Sequence, residues 1–331
     1  MKITACARSD ARIHILGAAS ALGAPHPGSA LAPDALRAGE LMPRLAAAGG
    51  QAEWTRTLHP PALLDDARDM VSRLKANGDF ARALADAILA LPSGAFTFVL
   101  GGDHAVASGT WRGVGRRLGG APGLIWIDAH LDSHTALTTH SGNIHGMPLA
   151  ALLGEGDDAL TQIPGPTLDP QRTCIIGARA WEPEELERLQ RLGVRIFAMN
   201  EVRQRGLAVV FEEALAIARA GGHGFGISLD LDAIDPLALP AVSCPEAGGI
   251  DPAVLLATLP AVRHCDDFVA LEIVEYRPDL DPKAHSARWI AEFAAAALGA
   301  DGCEFAEYPP GAAITIDKHR PASLPGVAKV Q

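Results

Sequence analysis

Apolar and polar positions along this chain switch repeatedly between two periods. Short runs of β-branched and large apolar residues recur at 12–18, 96–100, 124–127, 172–177, 194–198, 224–230 and 267–274. Runs of that length with no polar face suit strands buried on both sides of a parallel sheet. Between them lie longer stretches with helical spacing, at 33–48, 62–92, 105–118, 147–154, 183–192, 207–220, 251–262 and 283–298. Pro33 opens the first of these and Gly49-Gly50 stop it, while Pro92 and Gly94 end the second. Residues 52–57 read as a short edge strand. The alternation contains no Ser/Gly-rich linker and no repeat, so it predicts one α/β domain with a mostly parallel sheet and helices on both faces. The domain is expected over 1–303. Residues 304–331, with Pro309, Pro310, Pro321 and Pro325, read as an irregular extension of it.

Two connections stand out for length, 135–146 and 236–249. The first reads Thr-Ala-Leu-Thr-Thr-His-Ser-Gly-Asn-Ile-His-Gly, with no helical or strand pattern. Long structureless loops inside a compact domain usually carry function.

The chemistry gathers where strands end. Asp128, His130 and Asp132 follow the 124–127 run, spaced two apart. His104 follows the 96–100 run, and Asp230 and Asp232 close the 224–230 run. Open α/β sheets place their sites at the carboxyl ends of strands. On extended backbone an i, i+2 pair points to one side. Four carboxylates and two imidazoles exceed what one divalent ion needs. Two ions balance the charge and leave room for a bridging hydroxide. An oxygen-rich set with two nitrogens favours Mn²⁺ over Zn²⁺ or Cu²⁺, with Ni²⁺, Co²⁺ or Fe²⁺ as alternatives. A metal pair sharing a water lowers its pKa toward neutrality. Asp103 and Asp235, beside these positions, read as cap or turn residues rather than ligands.

Bulk properties narrow the setting. The chain has 331 residues, 48% hydrophobic and 20% charged, as expected of a soluble protein with a substantial core. Its net charge of −11 disfavours a nucleic-acid or anionic-membrane surface. Cys6, Cys174, Cys244, Cys265 and Cys303 are scattered, with no CxxC pair, which points to a reducing cytoplasm rather than a disulfide framework. Lys2, Arg8, Asp10 and Arg12 precede any apolar run, so no signal peptide is expected, and no stretch is long enough for a membrane helix.

Gly101-Gly102-Asp103-His104, Asp128-Ala129-His130-Leu131-Asp132 and Ser228-Leu229-Asp230-Leu231-Asp232-Ala233-Ile234-Asp235-Pro236 resemble the three metal motifs of the arginase (ureohydrolase) family. The resemblance runs in order over about residues 12–300 and includes Pro33-Asp34-Ala35-Leu36-Arg37 and the arginase-like Ser141-Gly142-Asn143-Ile144-His145-Gly146. It implies a three-layer α/β/α fold around a parallel eight-stranded sheet, two Mn²⁺ ions, and hydrolysis of a guanidinium to urea and an amine. It also implies self-association, as trimers or hexamers. Carried over by position, His104 and Asp132 would hold one ion, His130 and Asp232 the other, and Asp128 and Asp230 both. His145 matches the loop histidine that exchanges protons with solvent. In Leu271-Glu272-Ile273-Val274-Glu275-Tyr276-Arg277-Pro278, Glu275 matches the carboxylate that grips the guanidinium, a planar cation suited to paired hydrogen bonds. Asp132 would accept a proton from the attacking hydroxide and help pass it to the leaving amine.

The chain departs from that pattern at the substrate's tail. His134 stands where arginases have an Asn contacting the amino acid's carboxylate. Ala180-Trp181-Glu182-Pro183 replaces an acidic loop that holds Asp, leaving Glu182 to hold an ammonium. Ser141 and Asn143 match the carboxylate-binding loop. Arg277 reads either as a cation at the mouth or as a surface residue. L-Arginine, yielding L-ornithine and urea, is the expected substrate. Agmatine and guanidino acids such as 4-guanidinobutyrate are the alternatives, and a catalytically silent metal-binding scaffold is the reading of another class.

Overall fold

The computed structural model describes residues 12–61, 69–263 and 265–299. The 304–331 extension and the first residues of the 62–92 stretch lie outside them. Eight strands form one sheet: β1 Ile13–Ala18, β2 Ala52–Leu58, β3 Phe96–Gly101, β4 Gly123–Ile127, β5 Thr173–Ile176, β6 Arg195–Phe197, β7 Phe225–Asp230 and β8 Phe268–Val274. Their spatial order is β2-β1-β3-β8-β7-β4-β5-β6, and every pairing is parallel. Most of the apolar runs are therefore interior strands, β1, β3, β4, β5 and β7 being buried at every position, but the 194–198 run forms β6 at the other edge, where Arg195 and Ile196 are only partly buried. β2 alternates toward solvent, as an edge strand should.

The pleat divides the core in two. Ile125, Ile127, Ile227 and Leu229 pack on one face, with Val210, Phe211 and Leu255 and with Trp289 and Phe293. Leu124, Trp126, Val99 and Ala270 pack on the other, with Leu84, Ile88, Trp111 and Val114. Alternate residues of one short strand thus serve opposite layers, giving the α/β/α sandwich.

Helices Met70–Leu89 and Ala107–Leu118 lie side by side on that second face. A Cβ at Gly109 would meet Ala81 O at 2.5 Å, and one at Gly113 would meet Ala85 Cα at 2.9 Å. Two glycines one turn apart let the backbones approach more closely than side chains allow. Elsewhere the expected helices are interrupted. The 33–48 stretch is two helices, Ala32–Ala38 and Leu41–Ala47, and the 251–262 stretch divides into Pro252–Thr258 and Pro260–Arg263. Gly39 caps the first of the former pair. Pro260, which has no amide hydrogen, begins the second of the latter. Gly113→Val should push the two helices apart and lower the thermal midpoint, with an overpacking cost of about 1–3 kcal/mol. An unchanged melting curve would show that the close approach is not needed.

Candidate metal centre

Four adjacent strands, β3, β8, β7 and β4, deliver the strand-end residues to one place. His104 begins a 3-10 turn just beyond β3. Asp128, His130 and Asp132 follow β4. Asp230 ends β7 and caps the turn Leu231–Ala233, accepting from Asp232 N at 2.8 Å. Glu275 follows β8. His104, Asp128, Asp230, Asp232 and Glu275 are at most 3% exposed and Asp132 is 6% exposed, so this charge is removed from water. Asp132 (φ 45°) and Glu275 (φ 64°) lie in the left-handed region, which non-glycine residues enter at a cost of roughly 1–3 kcal/mol where the surroundings enforce it.

The six side chains form two nodes. His104 Nδ1 lies 3.0 Å from Asp132 Oδ2 and 3.2 Å from both Asp128 Oδ2 and Asp230 Oδ2. His130 Nδ1 lies 3.1 Å from Asp232 Oδ2 and 3.5 Å from Asp128 Oδ1. Asp128 therefore gives one oxygen to each node, and its Oδ2 also accepts from Trp126 Nε1 at 2.8 Å. His104, Asp128 and Asp132 form one group of metal-ligand type, and Asp128, His130 and Asp232 another. His104 Nδ1 is buried with no hydrogen-bond partner although three carboxylate oxygens crowd it. A lone pair surrounded by anionic oxygens suits a shared cation, so the donor set fits two divalent ions.

The electrostatics agree. Burial and the charge of Asp128 push the Asp132 carboxyl up to about 6. Burial, followed by Asp232 and Asp128, raises Asp230 well above the usual carboxylate range. Burial alone would lower both imidazoles. The carboxylates of Asp128, Asp132 and Asp230 raise His104, and those of Asp232 and Asp128 raise His130. Without cations this cluster can hold its charge only by taking up protons.

Beside the nodes, Glu275 Oε1 accepts from His104 N at 2.9 Å and pairs with His145 Nδ1 at 2.9 Å. Burial opposes charge on both groups. The Glu275 carboxylate nevertheless raises His145 to about 9, and His145 in turn holds Glu275 below the usual range. Glu275 Oε2 is buried without a partner. Asp103 caps the turn as expected, Oδ1 accepting from Ala105 N at 3.0 Å. Its Oδ2 also takes the amides of Gly23 and Ala24 at 2.6 and 3.0 Å. Gly23 O accepts from Ile144 N and His145 N, so Asp103 positions the segment carrying His145. Arg179 donates to the carbonyls of Gly177, Asp232, Ala233 and Glu246, tying the β7 loop to the end of β5. Neither role is legible from spacing, because each joins segments far apart in the chain. Asp235 is a turn residue, accepting from Leu237 N.

One pocket is lined by His130, Asp132, Asp230 and Asp232 together with His134, Ser141, Asn143, His145, Glu182 and Cys244. His134 Nε2 pairs with Glu182 Oε2 at 3.0 Å, and its Nδ1 with Thr138 Oγ1 at 3.1 Å. Glu185 approaches His134 at 3.5 Å, but its oxygens accept from Ser133 N and Glu182 N, closing a capping box at the start of helix Pro183–Leu192. Ser141 Oγ accepts from Asn143 N at 3.2 Å. Arg277 makes two hydrogen bonds to Asp279 and packs against Gly28, so it is not the cation of a carboxylate pocket. No lysine or arginine is among the described residues lining the pocket.

Residues 11–299 match the model of the family described as "Arginase family". An arginase from Brevibacillus brevis is 36% identical over 281 residues, 83% of this chain and 93% of that protein. The native arginase structure from Bacillus caldovelox superposes with a TM-score of 0.81 at 33% identity, covering 88% of this chain and 100% of that one. An arginase structure from Bacillus subtilis gives 0.82 at 31% identity over the same shares. Two imidazole–carboxylate nodes bridged by Asp128 at the sheet's carboxyl edge, and likeness along nearly the whole described chain, lead to one conclusion: the protein belongs to the arginase family, metal-dependent hydrolases that act on guanidino compounds.

Proposed function

We propose that this protein hydrolyses L-arginine to L-ornithine and urea with two Mn²⁺ ions. The observation that carries the reading is the division of Asp128 between the two nodes, beside the unpaired buried Oε2 of Glu275. His104 and Asp132 would hold one ion, His130 and Asp232 the second, and Asp128 and Asp230 would serve both. Bound there, the ions supply the Lewis acidity that ionises water near neutral pH. Glu275 offers a carboxylate oxygen to the guanidinium and fixes its carbon for attack. Asp132 takes the proton of the attacking hydroxide and helps pass it to the departing amine. His145, hydrogen-bonded to Glu275 and lining the pocket, exchanges protons with solvent. At the tail, Glu182 receives the α-ammonium, while His134, Ser141 and Asn143 receive the α-carboxylate.

A second reading has a specific observation behind it. His134 is already paired with Glu182, and the pocket lining described here has no arginine or lysine for an anion. Agmatine, which keeps the amine and lacks the carboxylate, would need Glu182 alone. The same absence weighs against 4-guanidinobutyrate. We further propose a cytoplasmic, homo-oligomeric protein, a trimer or hexamer as in the family. Cys174 is a buried free thiol, which suits a reducing compartment. The acidic charge balance disfavours nucleic acid as a partner.

Urea release by Mn²⁺-loaded protein should show kcat/KM highest for arginine, with agmatine and 4-guanidinobutyrate each at least about tenfold lower, the difference one lost charged contact makes. Reversal toward agmatine selects the second reading, and no urea from any of the three leaves only the silent scaffold. Asp128→Ala should remove both ions by elemental analysis and abolish turnover; full retention of either contradicts a shared ligand. His145→Asn should keep both ions while turnover falls about 10²-fold, as for loss of an acid–base group. Metal loss in that variant would make the residue structural instead. The same variant tests the ion pair. His145 is raised from 6.5 to about 9, so its stabilisation is complete below pH about 6.5 and lost as pH climbs through about 9. The melting point of metal-free protein should therefore fall between pH 7 and 9.5, and His145→Asn should fall less steeply.

A further inference from the structure

On the far side of His104 lies a buried relay that the proposed reaction does not use. Its Nε2 meets Ser228 Oγ at 2.9 Å. Ser228 Oγ donates to Glu272 Oε2 at 2.6 Å, and Trp111 Nε1 donates to the same oxygen at 3.0 Å. Ser228, Glu272 and Trp111 are all fully buried. The sheet builds this arrangement. Ser228 and Glu272 are directly opposed in the β7–β8 register, so their side chains share one face. Two residues earlier on that face is Gly226, where a Cβ would strike the Trp111 ring. The missing side chain makes room for the indole that holds Glu272.

The protons can be counted. A serine hydroxyl has one proton and an indole N–H only donates. Ser228 gives its proton to Glu272, so it has only lone pairs left for His104. His104 Nε2 must then carry a hydrogen, and Nδ1, the atom facing Asp128, Asp132 and Asp230, is left with a free lone pair. Were the relay reversed, with Ser228 donating to Nε2, neutral His104 would carry its proton on Nδ1 and could not ligate there. Stacking against Trp126, with centroids 4.0 Å apart and planes 11° from parallel, holds the ring plane but does not choose the tautomer.

We propose that Glu272 is a positioning residue: acting through Ser228, it selects the His104 tautomer and so sets the affinity of the ion on the His104 side. The inference rests on His104 being a ligand, as proposed above.

The test is stepwise Mn²⁺ binding to the full chain by titration calorimetry, alongside melting of the metal-free protein. Ser228→Ala and Glu272→Leu should weaken one ion about 10–100-fold, the usual effect of removing a group that orients a ligand, and leave the other close to wild type. Glu272→Gln should restore most of the affinity, because its amide oxygen can still accept from Ser228 and Trp111. Ser228→Ala removes one oxygen atom and keeps the test valid if Glu272→Leu fails to fold. Wild-type isotherms for both Ser228→Ala and Glu272→Leu would overturn the proposal. So would equal weakening of both ions, or a Glu272→Gln variant as impaired as Glu272→Leu. Failure of the wild-type protein to bind two ions would instead strike the metal reading on which this one stands.

Discussion

Four carboxylates and a fifth beside them, all but removed from water at the middle of one sheet, are the constraint to which this structure answers. Burying one ionised carboxylate is costly, and packing several together is costlier, because each raises the others' affinity for protons. Asp132 and Asp230 show that tension in their upward shifts, and Asp128 escapes it only through two imidazoles. A pair of divalent cations resolves all of it at once. The site is best understood as a negatively charged cavity whose counter-ions are also the reagents.

Such a cluster needs an enforcing framework. Asp132 and Glu275 hold backbone angles that they would not adopt freely. Arg179 pins four carbonyls around the β7 loop, Asp103 pins Gly23, and through Gly23 the His145 segment is pinned as well. Glu185, a buried acid near the pocket, spends its oxygens on main-chain amides. Many of the polar groups here thus orient other groups, while His104 Nδ1 and Glu275 Oε2 are left buried without a hydrogen-bond partner.

The cluster of acids and imidazoles that the fold brings together was legible in the chain because it obeys local rules. Acids two apart at the ends of apolar runs mark a shared side of extended backbone, and the strands around them are long enough to recognise. The edge strand β2 was legible for the same reason. Asp103 was legible as a cap but not as the anchor of Gly23, which lies eighty residues away. Glu272 stood in full view three residues before Glu275 and acquired meaning only when β7 paired with β8 and brought Ser228 beside it. Helix continuity failed at Gly39 and Pro260, where one residue outweighed a favourable spacing. His134, Ser141, Asn143 and Glu182 do line one pocket, but that His134 would turn to Glu182 and Arg277 to Asp279 is decided by three-dimensional proximity.

The paired glycines on helix Ala107–Leu118 have a reach beyond packing. Trp111 sits between Gly109 and Gly113 and lies deep in the core next to Gly226. One flank of that helix is shaved smooth against Met70–Leu89, its neighbour on the same face of the sheet. Where the indole enters the core is therefore tied to how closely the two helices approach. A bulkier residue at Ala81 or Ala85, buried on a different helix, would displace the helix that carries the indole donor to Glu272, so that evolution could retune the centre's chemistry from a purely apolar contact.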